Sequence, residues 1–445
     1  MVNHYTKEDV LRLAEEEDVE FIRLQFTDLQ GMLKNIAITS SQLEKALDNN
    51  CMFDGSSIEG FVRIEESDMY LYPQPDTFQI FPWRPQQGKV ARMICDVYWP
   101  DRKPFEGAPR YILKKVVEGA KEKGFILNVG MECEFFLFHL DDHGNPTTVT
   151  HEQAGFFDVS PLDQAENVRR DIMLNLEEMG YEIETSHHEI APGQHEIDFR
   201  YNDALSMADD IMTFKMAVKT IAQGHGLHAT FMPKPLEGVN GSGMHINMSL
   251  TDLDGKNLFA SDSDPEGLSP QAYHFMAGIL EHIDGITAIA NPLVNSYKRL
   301  VSGFDAPAYR SWSSSNRSPL IRIPATRGEQ TRLELRSPDP SANPYLALAV
   351  CLAAGLDGMR RQLVPPASIN KNIYHMTDTE RDELGIQRLP SNLGAALDAL
   401  EQDELLRQVL GSHVMKKYVA AKRQEWNAYC AQVDAWEISR YLRRY

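Results

Sequence analysis

The sequence predicts an α+β protein in two parts, a small β-rich N-terminal domain followed by a larger α/β domain. Two apolar, β-branched stretches at 19–26 and 32–38 flank the turn Thr27-Asp28-Leu29-Gln30-Gly31, which is the pattern of a hairpin. Proline and glycine crowd residues 100–109 and mark a boundary. Beyond it, stretches of strand and helix character alternate, the order expected of an α/β domain.

Taken in order, Thr6 opens an acidic helix with its own cap. After the hairpin, 41–47 reads as a short helix, Asp54-Gly55-Ser56-Ser57-Ile58-Glu59-Gly60 as a loop, and 89–99 as a strand. Pro109 is placed to open a helix that runs to 123 and ends at Gly124. Then come a strand at 127–140, a helix at 166–179, strands at 181–187 and 195–201, and a helix at 207–225. The C-terminal part reads as mostly helical, over 344–359 and 391–436. No internal repeat or low-complexity tract interrupts the pattern.

The chain of 445 residues carries a formal charge of -20. A charge of that sign argues against a nucleic-acid or membrane-surface partner, since both are anionic. Cys51, Cys95, Cys133, Cys351 and Cys430 are scattered and form no C-x-x-C pair, so they read as reduced thiols. The N-terminus lacks a signal-like apolar stretch, and the apolar run at 345–356 is too short to cross a bilayer, which takes about 20 residues. A soluble cytoplasmic protein is expected.

Chemistry concentrates in residues 186–198, where His187, His188, His195, Glu189, Glu196 and Asp198 crowd together. Ala191-Pro192-Gly193 turns the chain between Glu189 and Glu196, so both carboxylates can point at one centre. Side by side and unpaired, they would repel until one took a proton, and a divalent metal is the natural partner. A solvated turn is the alternative.

Three strand segments add to the first reading. Strand periodicity puts Glu132 and Glu134 on one face, and sets His245, Asn247 and Ser249 against Met244, Ile246, Met248 and Leu250. In 332–336, Arg332, Glu334 and Arg336 alternate with leucine. Amphipathic strands facing water have the same period, but these polar positions are nearly all ligand types. Glu132, Glu134, Glu189, Glu196, Glu334 and His245 suit Mg²⁺ or Mn²⁺ better than zinc, and are enough for more than one ion.

Between Lys298 and Arg336 the chain turns basic, with Lys298, Arg299, Arg310, Arg317, Arg322, Arg327, Arg332 and Arg336 against Asp305, Glu329 and Glu334. Arginine forks bind carboxylate and phosphate at two points; pairing across a subunit contact is the other reading. Hard metals beside arginines are the equipment of phosphoryl transfer. No Walker A sequence is present, and Val239-Asn240-Gly241-Ser242-Gly243 precedes a strand rather than a helix. Its glycines would let backbone amides approach a ligand closely.

Five motifs, Phe53-Asp54-Gly55-Ser56-Ser57-Ile58, Glu132-Cys133-Glu134-Phe135-Phe136, Val239-Asn240-Gly241-Ser242-Gly243-Met244-His245, Asn295-Ser296-Tyr297-Lys298-Arg299-Leu300 and Asn316-Arg317-Ser318 followed by Ile321-Arg322-Ile323-Pro324, resemble bacterial type I glutamine synthetases in this order over essentially the whole chain. The resemblance implies a β-grasp domain at 15–100 and a catalytic domain at 107–445 built round an open antiparallel barrel. It also implies a homo-dodecamer of two stacked hexamers, with each N-terminal domain completing a neighbour's active site. The implied activity is ATP-dependent joining of ammonium to glutamate through a γ-glutamyl phosphate, central to nitrogen assimilation.

By the same resemblance, Glu134, Glu189 and Glu196 hold one metal, and Glu132, His245 and Glu334 the other. Asn240, Gly241, Arg299 and Arg336 hold glutamate, while Glu184, Asn247, Ser249, Arg317, Arg322 and Arg332 surround the nucleotide and its phosphates. Asp54, with Ser57 nearby, attracts ammonium and takes its proton. Arg299 and Arg317 act on substrate during the transfer, and Asp305 guards the ammonium site from the flap Val301-Ser302-Gly303-Phe304-Asp305-Ala306-Pro307.

Two positions depart from the pattern. Asp305 stands where the family usually has glutamate, and Phe156 where it often has a tyrosine lining the ammonium pocket. The length resembles the shorter alpha subgroup, which responds to glutamine feedback, and Arg63 matches the position tied to that response. The residues after Tyr374 do not match the adenylylation site of the longer subgroup, so that modification is not expected. Two alternatives accompany this reading: a γ-glutamyl ligase for a larger amine, and a catalytically silent regulatory relative. Nitrogen-control transcription regulators are possible partners, although the retained ligand and arginine sets argue against loss of catalysis.

Overall fold

The computed structural model describes residues 4–58, 60, 68–84 and 87–445; Arg63 lies outside the described residues. Helix α1 (Lys7–Glu16) starts as expected, with the Thr6 hydroxyl accepting from the Asp9 amide and the Asp9 carboxylate accepting from the Thr6 amide. β1 (Val19–Thr27) and β2 (Leu33–Thr39) form the hairpin, and Asp28 closes its turn by accepting from the amides of Gln30 and Met32. After α2 (Leu43–Leu47) come β3 (Cys51–Asp54), β4 (Asp68–Pro73), β5 (Gln79–Ile80) and β6 (Lys89–Tyr98). The sheet runs β2-β1-β6-β4-β3 with β5 beside β6. β1 and β6 are parallel while the other pairs are antiparallel, which is the β-grasp arrangement. β3, ending at Asp54, is an edge strand.

α3 (Pro109–Lys121) opens the second part, with Pro109 in its first turn. The stretch expected as one strand over 127–140 is two, β7 (Ile126–Cys133) and β8 (Phe135–His139), which belong to different sheets. The break falls at Glu134, whose amide donates to the Gly243 carbonyl and whose carboxylate accepts from the Gly243 amide. That tether lies far along the chain, so strand period alone could not reveal it. α4 (Glu166–Glu178), β9 (Ile183–His188), β10 (Gln194–Phe199), β11 (Asn202–Asp203), α5 (Ala204–Gly224), β12 (Leu227–Thr230) and β13 (Met244–Thr251) follow. α5 begins ahead of residue 207 because the Asp203 side chain caps the amides of Leu205 and Ser206.

α6 (Pro270–Ala290) is a long helix that no pattern in the sequence marks. It is apolar on nearly every side and so lacks the one-faced stripe that marks a surface helix. After it come α7 (Ser296–Arg299), β14 (Trp312–Ser313), β15 (Ile321–Arg322), β16 (Leu333–Leu335), α8 (Pro344–Arg361) and α9 (Asp378–Glu383). The helical stretch expected over 391–436 is divided into α10 (Leu393–Gln402), α11 (Glu404–Cys430) and α12 (Ala435–Tyr441). Asp403 and Asp434 cap the two later starts, and Gly411, at φ +77°, kinks α11.

Two sheets, β12-β8-β10-β9 and β11-β7-β13-β16-β15-β14, curl into a half-barrel, with α5, α6 and α8 buried behind them. The N-terminal sheet is fixed to this body by charge. Arg110 of α3 is buried between Asp96 of β6, at 2.5 Å, and Asp209 of α5, at 2.9 Å; the Tyr345 hydroxyl of α8 also donates to Asp209 at 2.7 Å. Among the described residues no helix is long and apolar enough to cross a membrane.

Candidate active site

Antiparallel pairing builds the first acidic cluster. β13 lies between β7 and β16, so His245 faces Glu132 across one ladder and Asn247 faces Glu334 across the other. His245 Nδ1 is 3.1 Å from Glu132 and 3.8 Å from Glu334. Asn247 donates to Glu132 at 2.9 Å and accepts from Arg332 Nε at 3.1 Å. Glu334 is buried and takes Arg322 at 2.5 Å and Arg336 Nε at 3.2 Å. Burial works to raise the Glu132 pKa, but hydrogen bonding to His245 and Asn247 outweighs it and brings the carboxyl down to about 2.

The second cluster sits on the β9–β10 hairpin, where Glu196 is paired with His187. His187 Nε2 lies 3.0 Å from Glu189 and 3.2 Å from Glu196. Glu134 approaches from the break between β7 and β8, held by Gln194 Nε2 at 2.8 Å and the Gly243 amide at 2.9 Å. Burial and the nearby Glu189 push the Glu134 carboxyl up to about 7. Burial, Asp198 and Glu134 raise Glu196 well above the carboxylate range. Among the described residues no lysine or arginine forms an ion pair with Glu134, Glu189 or Glu196, whose only such partner is His187, on the latter two, and their oxygen-rich donors fit a hard divalent ion. The sequence marks His187 as part of the crowded 186–198 stretch, and the structure adds it to the group formed by Glu189 and Glu196.

The hairpin is pinned from behind. Buried Glu152 accepts from His188 at 2.9 Å and from the Gly193 amide at 2.5 Å. Gly193 has φ +68°, and a Cβ there would stand 2.9 Å from the Leu137 carbonyl, so only glycine suits the turn. His151, Glu152 and His195 also converge, but Arg169 donates to His195 Nδ1 at 3.0 Å. Arginine can only donate, so the neutral ring keeps its proton on Nε2. With Glu152 already engaged, this group braces the hairpin.

The arginines divide. Arg310 pairs with Asp284, and Arg327 donates to the Glu266 and Pro324 carbonyls, so neither joins the cluster. Arg299 is buried and spends its terminal nitrogens on the carbonyls of Ser337, Pro338 and Arg336. It packs against Gly241, where a Cβ would come 2.3 Å from the Pro233 carbonyl; Asn240 is partly exposed just before it. Arg317 is exposed, with its carbonyl accepting from Arg336. Glu184 is exposed on β9, and Ser249 pairs with Asn128 on the neighbouring strand.

Asp305 has φ +52° and lies 3.5 Å from Arg336 Nη2, while the Tyr374 hydroxyl donates to the next carbonyl, that of Ala306, at 2.9 Å. Phe156 stacks on Phe157 at 3.9 Å and meets His187 edge-on at 5.7 Å, so it borders the second cluster. Asp54 and Ser57 are exposed. Among the described residues, no hydrogen bond or ion pair joins Asp54 to either cluster; the Ser56 amide occupies it at 2.8 Å.

Comparison with known proteins gives a consistent result. The family model described as glutamine synthetase, catalytic domain, matches residues 106–441, and that described as glutamine synthetase, beta-Grasp domain, matches 18–100. A glutamine synthetase of Clostridium saccharobutylicum is 61% identical over 441 residues, covering 99% of each chain. One from Staphylococcus aureus strain N315 is 56% identical over 443 residues, again covering 99% of each. A solved structure titled "GmaS/ADP complex-Conformation 1" aligns over 100% of both chains with a TM-score of 0.89 at 35% identity.

Proposed function

The chain belongs to the glutamine synthetase family and is an ATP-dependent, divalent-metal ligase making glutamine from glutamate and ammonia, and on that premise we propose which of its residues do so. Glu132, His245 and Glu334 hold one ion. Glu134, Glu189 and Glu196 hold a second, with His187 beside them. Mg²⁺ or Mn²⁺ bound there would neutralise phosphate charge and orient the transferring group. The crowding of Glu134, Glu189 and Glu196 around too little positive charge carries this reading, because a site built for protein alone would not concentrate buried acids.

The chain's own groups supply the rest. Asn240, Gly241, Arg299 and Arg336 seat glutamate so that its side-chain carboxylate faces the γ-phosphoryl group of ATP. Glu184, Asn247, Ser249, Arg317, Arg322 and Arg332 border the nucleotide and its phosphates. A free carboxylate has no acceptable leaving group, so phosphorylation precedes attack by ammonia. Asp305 closes over the acyl phosphate and excludes water. Asp54 and Ser57 of an adjacent subunit attract ammonium and remove its proton; their exposure on the edge of the N-terminal sheet supports a role across a subunit contact. A dodecamer, a cytoplasmic location, glutamine feedback through Arg63 and contact with nitrogen-control regulators complete the reading.

Metal counting tests it. The assembled enzyme should bind at least two Mn²⁺ per subunit by equilibrium dialysis, and Glu132→Gln and Glu196→Gln should each remove one. Wild-type stoichiometry in both variants would dismiss the two clusters as metal sites.

A further inference from the structure

One segment takes no part in the chemistry above, yet it is bonded on two sides to pieces that do. On one side, residues 369–373 grip the loop that carries Arg317. The Ile369 amide donates to the Trp312 carbonyl at 2.9 Å, and Asn316 Nδ2 donates to the Ile369 carbonyl at 2.9 Å. The Ser313 hydroxyl donates to Asn370 at 2.8 Å, and the Ile373 amide donates to the Ser318 hydroxyl at 3.2 Å. Arg317 is thus flanked by two anchored residues, Asn316 and Ser318.

On the other side, the same segment reaches the flap. Ile373 is fully buried, and the Asn372 side chain fixes the next amide, that of Tyr374, at 3.0 Å. From there the Tyr374 hydroxyl donates to the Ala306 carbonyl at 2.9 Å, one residue beyond Asp305. The Asp305–Arg336 pair is a weak holder by itself, because the Asp305 side chain is 41% exposed and the pair spans 3.5 Å. Asp305 also has a left-handed backbone, at φ +52°, a conformation uncommon for residues other than glycine. Something else must keep this short acid in place.

We propose that Tyr374 is a positioning residue that latches the flap through the Ala306 carbonyl, and that residues 369–376 couple flap closure to the seating of the Arg317 loop. The coupling makes the gate respond to the ATP phosphates: when Arg317 is drawn onto them, Asn316 and Ser318 hold the segment, and Tyr374 holds Asp305. The proposal rests on the reading of Asp305 as the gate.

The test compares Tyr374→Phe, Ser318→Ala and Asp305→Ala in the assembled enzyme, measuring phosphate released per glutamine formed, the ammonium KM and the melting temperature. Loss of one neutral hydrogen bond corresponds to roughly a fivefold change in the closed-to-open ratio. Tyr374→Phe should therefore raise ammonium-independent phosphate release about fivefold, with melting unchanged. Ser318→Ala should shift the same ratio and also raise the ATP KM. If Asp305→Ala uncouples the reaction while the other two variants retain the wild-type ratio, the latch is refuted and the gate stands. Wild-type coupling in Asp305→Ala would remove the gate and the latch together. A Tyr374→Phe enzyme that melts early and loses kcat at an unchanged ratio would make Tyr374 merely structural and overturn the proposal.

Discussion

Arg110→Met is the perturbation that most directly probes how the two parts of the chain are joined. The guanidinium is buried between Asp96 and Asp209, each 6% exposed, and bridges β6 to α5 beside the hydrogen bond from Arg92 to the Thr213 hydroxyl. Methionine nearly fills its volume, so the dominant loss is electrostatic: two buried carboxylates face each other with, among the described residues, only Lys114, 3.2 Å from Asp96, and the Tyr345 hydroxyl to help. Removing one partner of a buried pair costs about 3–5 kcal/mol. With an unfolding entropy of about 2.1 cal/mol/K per residue over 445 residues, each kcal/mol is worth about 1 °C, so calorimetry should find melting lowered by roughly 3–5 °C. Adding Asp209→Asn should recover part of the loss, since one of the stranded charges is then gone. A single variant melting within about 1 °C of wild type, or a double variant worse than the single, would refute the reasoning.

Two further outcomes are expected. His282 of α6 lies 2.7 Å from Asp403, the cap of α11, and 3.2 Å from Asp357. Burial lowers its pKa, but the two aspartates outweigh this and raise it above 6.5. Because the folded-state value is raised, the stabilisation is complete below the unfolded pKa and fades as pH rises through the folded one; calorimetry should find His282→Asn clearly destabilised at pH 6 and much less so at pH 9, and an equal cost at both would contradict it. Phe156→Tyr adds a hydroxyl beside the second cluster, and steady-state kinetics should give an ammonium KM lower by about fivefold, the worth of one hydrogen bond; an unchanged or higher KM would place Phe156 away from the amine.

Much of the site was legible because strands have a period of two. His245 against Glu132, and Asn247 against Glu334, follow once three alternating segments are set side by side. Glu189 and Glu196 were legible through the Pro192-Gly193 turn. Glu134 was harder, because its share of the face depends on a break made by contacts with Gly243 and Gln194, far away in sequence. Arg310 and Arg327 looked like members of the basic cluster, since sequence counts charges but does not reveal that Asp284 or a backbone carbonyl already holds them. α6 escaped because a helix buried on nearly all sides has no period to read. Tyr374 escaped as a flap contact because a single hydroxyl meeting a carbonyl leaves no sequence pattern.

The proposed mechanism turns on Asp305 shielding the γ-glutamyl phosphate from water until ammonia attacks it. Its most direct test is phosphate release from ATP by wild-type enzyme with Mg²⁺ and glutamate, with and without ammonium, while glutamine is followed in the same samples. Release should depend on ammonium and match glutamine one for one. Release without glutamine would contradict the gate, and no release with either Mg²⁺ or Mn²⁺ would contradict the assignment of the two acidic clusters.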